Sequence, residues 1–304
     1  MIRIVALMST AFALLSAFPG PASAAPSASA GVSATAQLAT AEAKPWQCGT
    51  PKRKPDGTKW ICRFVDHFSG SSIDRTSWTV QKSSNSAAKP GQACWEDDPD
   101  NVRVSGGSLY LTVRKESQPF VCDSPWGDFT TPYSGGSVST WNKLEQTYGR
   151  YEVRAKFPDA KMTGIHSAIW LYPKAMTYGP WPRSGEIDIA EYYTRYPDRA
   201  IPYIHYDNVG PDPVTNTQCM IFNPRVFNTY LVEWTPGLIT IDYNGRRCLT
   251  HRIDAADPLT GSAPFDKPFF LILTQTLGIG QNPFNPSTTP LPQTMEVDRV
   301  RVWR

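Results

Sequence analysis

The sequence predicts an all-β fold, a sandwich or barrel of antiparallel strands. Three observations carry that reading. Short runs alternate apolar and polar residues with a period of two, which marks strands buried on one face. Turn dipeptides separate these runs. Proline is frequent, at 28 of 304 residues, and proline inside a helix removes a hydrogen bond and clashes with the preceding turn. No long stretch keeps a helical period, and no internal repeat is present.

The chain opens with Met1-Ile2-Arg3, an apolar run from Ile4 to Phe18, and Pro19-Gly20-Pro21-Ala22-Ser23-Ala24. A basic start, a short apolar stretch and an Ala-x-Ala ending read as a secretory signal over residues 1–24. The run is shorter than the ~20 apolar residues of a spanning helix. Residues 25–45 are mostly Ala, Ser and Thr and offer little to bury, so they read as a disordered spacer. Residues 46–304 are then the one folded domain, exported and free of the membrane after cleavage.

Within that domain the alternating runs are Asn101–Val104, Leu109–Val113, Tyr151–Phe157, Tyr230–Trp234, Ile239–Tyr243 and Val297–Trp303. Between runs lie Asp56-Gly57, Ser105-Gly106-Gly107 and Asn244-Gly245. Asn-Gly supplies two residues that tolerate positive φ, so Asn244-Gly245 is the strongest hairpin signal. Six cysteines in an exported chain favour disulfides, and no Cys-x-x-Cys spacing points to zinc or redox chemistry. Fifteen pairings are open to six cysteines. Short loops favour Cys48–Cys62, Cys94–Cys122 and Cys219–Cys248.

Composition narrows the function. Hydrophobic residues make up 40% of the chain and charged residues 19%, enough apolar material for a folded core. The net charge is +3 with no long basic run, which argues against a nucleic-acid partner. Ten Trp, 13 Tyr and 13 Phe suit strands, and their faces also stack on sugar rings. The four histidines have no His-x-x-His or His-x-x-x-His spacing, against a zinc hydrolase.

One segment stands apart, Trp181-Pro182-Arg183-Ser184-Gly185-Glu186-Ile187-Asp188-Ile189-Ala190-Glu191. Alternation places Glu186 and Asp188 on one strand face and the isoleucines on the other. Glu191 would fall on the isoleucine face unless a one-residue bulge near Ala190 returned it. Three carboxyls on one face repel one another, so at least one is pushed up and stays protonated near neutral pH. A protonated acid beside an ionised carboxylate is the apparatus of glycoside hydrolysis.

With these residues the chain resembles glycoside hydrolase family 16 from Phe64 to Arg304. The most specific piece is Glu-x-Asp-x-x-Glu at residues 186–191, the bulged form seen in its laminarinase branch. Phe64–Gly70, Gly149–Lys156, Ala168–Leu171, Val232–Pro236 and Val297–Val302 match in the same order. The resemblance implies a β-jelly roll of two antiparallel sheets and a sugar cleft on the concave one. It implies a retaining endo-β-glycanase acting alone on a polysaccharide, with β-1,3- or β-1,3-1,4-glucan as the first substrate reading. Glu186 is then the nucleophile, Glu191 the acid/base, and Asp188 the group between them. Trp170, Trp181, His205 and Gln275 are the expected substrate contacts. No cofactor is required for catalysis, and Asp298 matches a position that can ligate a structural calcium ion.

Two departures bear on the sugar. His166 stands where the laminarinase pattern has a tryptophan, and residues 273–280 lack the usual Asn-Leu-Ala run. A galactan hydrolase, a transglycosylase and a non-catalytic glucan-binding protein are therefore the alternatives. Binding relatives typically lose the acids, whereas all three are present here.

Overall fold

The computed structural model describes residues 45–86, 91–159 and 161–304. The expected export signal and nearly all of the spacer lie outside the described residues. Fifteen strands are found among them. They are β1 (Cys62–Asp66), β2 (Thr79–Val80), β3 (Cys94–Trp95), β4 (Val102–Ser105) and β5 (Ser108–Cys122). Next come β6 (Phe129–Ser139), β7 (Gly149–Lys156), β8 (Ile165–Pro173), β9 (Glu186–Tyr193) and β10 (Ile201–His205). The last are β11 (Asn228–Thr235), β12 (Leu238–Tyr243), β13 (Arg246–Arg252), β14 (Phe269–Leu277) and β15 (Gln293–Trp303).

The strands make two antiparallel layers. One runs β10–β9–β8–β14–β6, and the other runs β5–β15–β7–β11–β12–β13. The 15-residue strand β5 pairs with β15 at its start and with β6 at its end, so it links the layers. This is the jelly-roll sandwich that the resemblance implied.

The hairpins follow the turn chemistry. Asn244 and Gly245 both take positive φ, 51° and 77°, between β12 and β13. Gly106 and Gly107 do the same between β4 and β5. Two such residues match the twist of the flanking strands.

The core lies between the layers. Ile169, Leu171, Ile187, Tyr192, Leu271 and Leu273 come from the first layer. Tyr151, Val153, Tyr230, Val232, Trp234, Ile241 and Val300 face them from the second. Burying one such side chain contributes roughly 1.5–3 kcal/mol. Strand β14 is buried along its whole length, which explains why its sequence does not alternate. The three disulfides pair as the short loops suggested, Cys48–Cys62, Cys94–Cys122 and Cys219–Cys248.

The layer contact that matters most for the site is at β9. The β8–β9 register runs Ile169↔Ala190 and then Trp170↔Asp188, so Ile189 is an extra residue. The same slip occurs against β10, between Ile201↔Glu191 and Tyr203↔Asp188. An extra residue leaves its backbone groups outside the ladder. The carbonyl of Ile189 is met by the buried Tyr243 hydroxyl of β12, which donates at 2.8 Å across the sandwich.

Removing that hydroxyl leaves a buried carbonyl without its donor. Tyr243→Phe should therefore cost about 1–3 kcal/mol of stability. The denaturant midpoint of unfolding checks this, and an unchanged midpoint would show that the bulge stands without the contact.

Candidate active site

The bulge sets the face of each acid. Glu186 lies opposite His205 and Asp188 opposite Tyr203 on β10, and Glu191 lies opposite Ala168 on β8. With Ile189 inserted, Glu191 shares the face of Glu186 and Asp188, while Ile187, Ala190 and Tyr192 join the core. The expected bulge near Ala190 is thus present, one residue earlier.

The approach to β9 is fixed by close packing. Gly185 has φ +85°, and a Cβ there would come within 2.8 Å of the Phe265 ring. Only glycine fits such a place without strain. The Ser184 hydroxyl donates to the Gly179 carbonyl at 2.7 Å and accepts from the Tyr178 amide at 3.0 Å. That loop carries Trp181, whose indole N–H donates to Glu186 Oε2 at 2.5 Å. Trp181 is half exposed and tilts against the His205 ring at 5.4 Å.

Each remaining acid has its own partners. His205 Nε2 lies 3.0 Å from Asp188 Oδ2, and the His205 ring stacks on Tyr203 at 4.0 Å. The Tyr193 hydroxyl donates to Glu191 Oε1 at 2.5 Å. His166 Nε2 lies 3.2 Å from the same oxygen, and its ring stacks on Tyr193 at 4.6 Å.

Burial decides the charges. Desolvation, with the Asp188 charge second, pushes Glu186 up to about 8. Asp188 is raised too, by burial first and then by Glu191. Burial also lowers His205, so the His205–Asp188 contact joins two groups that both favour their neutral forms. Glu191 goes the other way. Burial would raise it, but contacts from His166 and Tyr193 together hold it low. Burial thus favours the protonated forms of Glu186 and Asp188, and the contacts on Glu191 favour its charged form.

The cleft floor follows from register. On β8, His166, Ala168, Trp170 and Tyr172 share the acid-bearing face, and their partners on β14 are Thr276, Thr274, Ile272 and Phe270. Trp170 is nearly buried there and donates from Nε1 to Thr274 Oγ1 at 3.1 Å. It lines a hollow of about 240 Å³ with Tyr172, Phe270, Trp141 and Gln81. Trp170, Trp181 and His205 therefore gather around the acids.

Two expected residues do not. Gln275 pairs with Ser167 on the opposite face of β14, is fully buried, and accepts the Ser167 hydroxyl. A one-residue shift along a strand turns a side chain to the other face, so Thr274 and Thr276 take the place expected for Gln275. Asp298 is the extra residue of a second bulge, on β15 in the other layer, and its Oδ2 accepts from Arg154. Its Oδ1 is buried without a hydrogen-bond partner. Among the described residues no group of three or more His, Cys, Asp or Glu side chains is placed to hold a metal. Sequence reasoning missed the contacts of His166 and Tyr193 with Glu191. Period two would have found them, since 166 shares a face with 170 and 193 with 191.

The profile of glycosyl hydrolases family 16 matches residues 90–273. The chain belongs to that family. Its relatives include a glucan endo-1,3-beta-glucosidase A1 of Niallia circulans, 30% identical over 79% of this chain. A keratan-sulfate endo-1,4-beta-galactosidase of Sphingobacterium multivorum is 34% identical over 79% of this chain. The chain spans 37% and 54% of the lengths of these two relatives. Among solved structures, the laminarinase from Rhodothermus marinus superposes with a TM-score of 0.68 at 27% identity, over 84% of this chain and 98% of its own.

A raised carboxyl has a consequence for stability in this family 16 chain. The fold binds the Glu186 proton more tightly than the unfolded chain does. The stabilisation is present below the ordinary value of 4.5 and is lost as pH rises through about 8. Glu186→Gln cannot ionise, so its Tm should equal that of the parent near pH 4 and exceed it increasingly up to about pH 8. Calorimetry across that range is the measurement. A constant difference in Tm would mean that Glu186 titrates normally.

Proposed function

We propose that this protein is an exported, retaining endo-β-glycanase whose first substrate class is β-1,3- or mixed-linkage β-1,3-1,4-glucan. The observation that carries the reading is the β9 bulge, which gathers Glu186, Asp188 and Glu191 on one cleft face. The Niallia and Rhodothermus relatives, named for β-1,3-glucan cleavage and as a laminarinase, support the glucan choice. The galactosidase relative, together with His166 in the tryptophan position, supports a galactan as the second reading. Three disulfides suit an oxidising compartment.

In this mechanism a Glu186 oxygen bonds to the anomeric carbon as the glycosidic C–O bond breaks. Glu191 gives its proton to the departing oxygen. Water then attacks the glycosyl–enzyme bond, returns its proton to Glu191 and frees Glu186, so two inversions retain configuration. The reactive form needs Glu186 ionised and Glu191 protonated. Asp188, set between them along β9, makes ionisation of Glu186 responsive to its own proton. Trp181 and Trp170 would stack on the sugar faces beside the acids.

Calcium enters this reading only as a structural ion. Asp298 would hold it through the unpartnered Oδ1, with backbone carbonyls completing an oxygen shell. It would supply fixed positive charge and no step of the reaction. Added calcium should then raise Tm in the parent and not in Asp298→Asn; equal responses would remove the ion from the proposal.

The activity test is reducing-sugar release from laminarin, lichenan, agarose, carrageenan and xyloglucan, with anomeric configuration followed by NMR. Glucans should be cleaved to the retained anomer. Glu186→Ala and Glu191→Ala should each lose about 10²-fold or more on the polysaccharide. Cleavage at the parent rate by Glu186→Ala would overturn the nucleophile, and activity on galactans alone would overturn the glucan choice.

A further inference from the structure

Glu191 is held in an uneven way. Both of its close polar contacts fall on one oxygen, Oε1, from the Tyr193 hydroxyl at 2.5 Å and His166 Nε2 at 3.2 Å. The two rings brace one another, stacked 4.6 Å apart and within 5° of parallel, and Tyr193 is the hydrogen-bond donor of the two. They come from neighbouring strands, His166 from β8 and Tyr193 from β9, paired directly across the ladder. No helix, ion or loop is needed for the arrangement.

We infer that His166 and Tyr193 are a positioning pair for the acid/base, which fix Glu191 through Oε1 and leave Oε2 for the glycosidic oxygen. The inference rests on the role proposed above for Glu191 and adds what sets its aim and its proton affinity. As the proton leaves Glu191, the carboxyl becomes a carboxylate. Hydrogen bonds to a carboxylate are stronger than those to a neutral acid. The Tyr193 hydroxyl already donating to Oε1, with the polar edge of His166 beside it, therefore stabilises the charge as it develops, at little cost of reorganisation. The same pair then steadies the ionised Glu191 that serves as base toward water in the second step.

The other groups facing Glu191 do not substitute for this pair. Asp188 and Glu186 on β9 are carboxyls, and the Glu191 charge raises both of them. His205 on β10 has its Nε2 on Asp188 Oδ2, 3.0 Å away. Tyr243 on β12 spends its hydroxyl on the Ile189 carbonyl. The facing β14 residue across β8 is Thr274, which is uncharged and accepts from Trp170. Tyr193 thus supplies the hydrogen bond, and His166 the close polar contact, that hold Glu191 low.

A role in proton donation leaves a signature that a merely structural role does not. A poor leaving group, such as a sugar hydroxyl, needs the acid; a dinitrophenolate does not. His166→Gln and Tyr193→Phe should lower kcat/KM on laminarin roughly tenfold, a part of the 10²–10⁴-fold that general acid catalysis supplies. On dinitrophenyl laminaribioside the same variants should stay near the parent value. Their basic limb of kcat/KM should move to higher pH, because a lost donor raises the Glu191 carboxyl and keeps it protonated longer. Carbon-13 NMR titration of the Glu191 carboxyl, which needs no substrate, should show the same upward move. Equal losses on both substrates, or a Glu191 midpoint unmoved in both variants, would overturn the pair. Glu191→Ala separates this from the underlying reading. If that variant loses as much on the dinitrophenyl glycoside as on laminarin, the acid role itself fails, whatever His166 and Tyr193 do.

Discussion

The site depends on one hydrogen bond that crosses the sandwich. An extra residue in β9 turns Glu191 onto the face of Glu186 and Asp188, but it also pushes the Ile189 carbonyl out of the strand ladder. A buried carbonyl with no donor is costly. Tyr243, from the far layer, supplies the donor. The bulge is therefore a property of both layers at once. The core residues that bring β12 up against β9, Ile241 and Tyr192 among them, indirectly aim the acids.

Placing three carboxyls on one buried face works against folding. The chain moderates this by removing charge instead of neutralising it with fixed cations. Burial raises Glu186 and Asp188 and lowers His205, which favours the neutral form of each. Glu191 alone of the three is lowered, and it accepts from the Tyr193 hydroxyl with His166 Nε2 3.2 Å from the same oxygen. Fixed cations do appear in the other layer. There Arg150, Arg154 and Lys156 pair with Glu233, Asp298 and Glu296. The two layers thus separate the charge that holds strands in place from the charge arranged for chemistry.

The cleft floor and the core share strands, and this limits how the sugar surface is made. β14 buries its inner face in the core and its outer face beneath Trp170 and its neighbours. Trp170 is consequently both a packing residue and part of the floor. Trp181 sits on a loop and keeps its indole half exposed, with its N–H on Glu186. One aromatic is thereby packed among its neighbours and the other stays half exposed beside the acids.

The strand class and the hairpins at Gly106-Gly107 and Asn244-Gly245 were legible in the sequence, and short loops favoured the disulfide pairing that the structure shows. The sequence also identified the three acids and the need for a bulge among them. These features are local: turn conformation, period-two alternation and loop closure depend on residues close in the chain. The tertiary structure alone decided which face each remaining residue took. Gln275 and Thr274 are neighbours in sequence, yet register sends one into the core and the other toward the cleft. The bulge position, its Tyr243 cap and the His166–Tyr193 contact with Glu191 likewise depend on which strands lie side by side. Pairing across β8, β9 and β10 and packing against β12 are long-range choices. A period along one strand carries the alternation of faces but not the identity of the neighbour that each face meets.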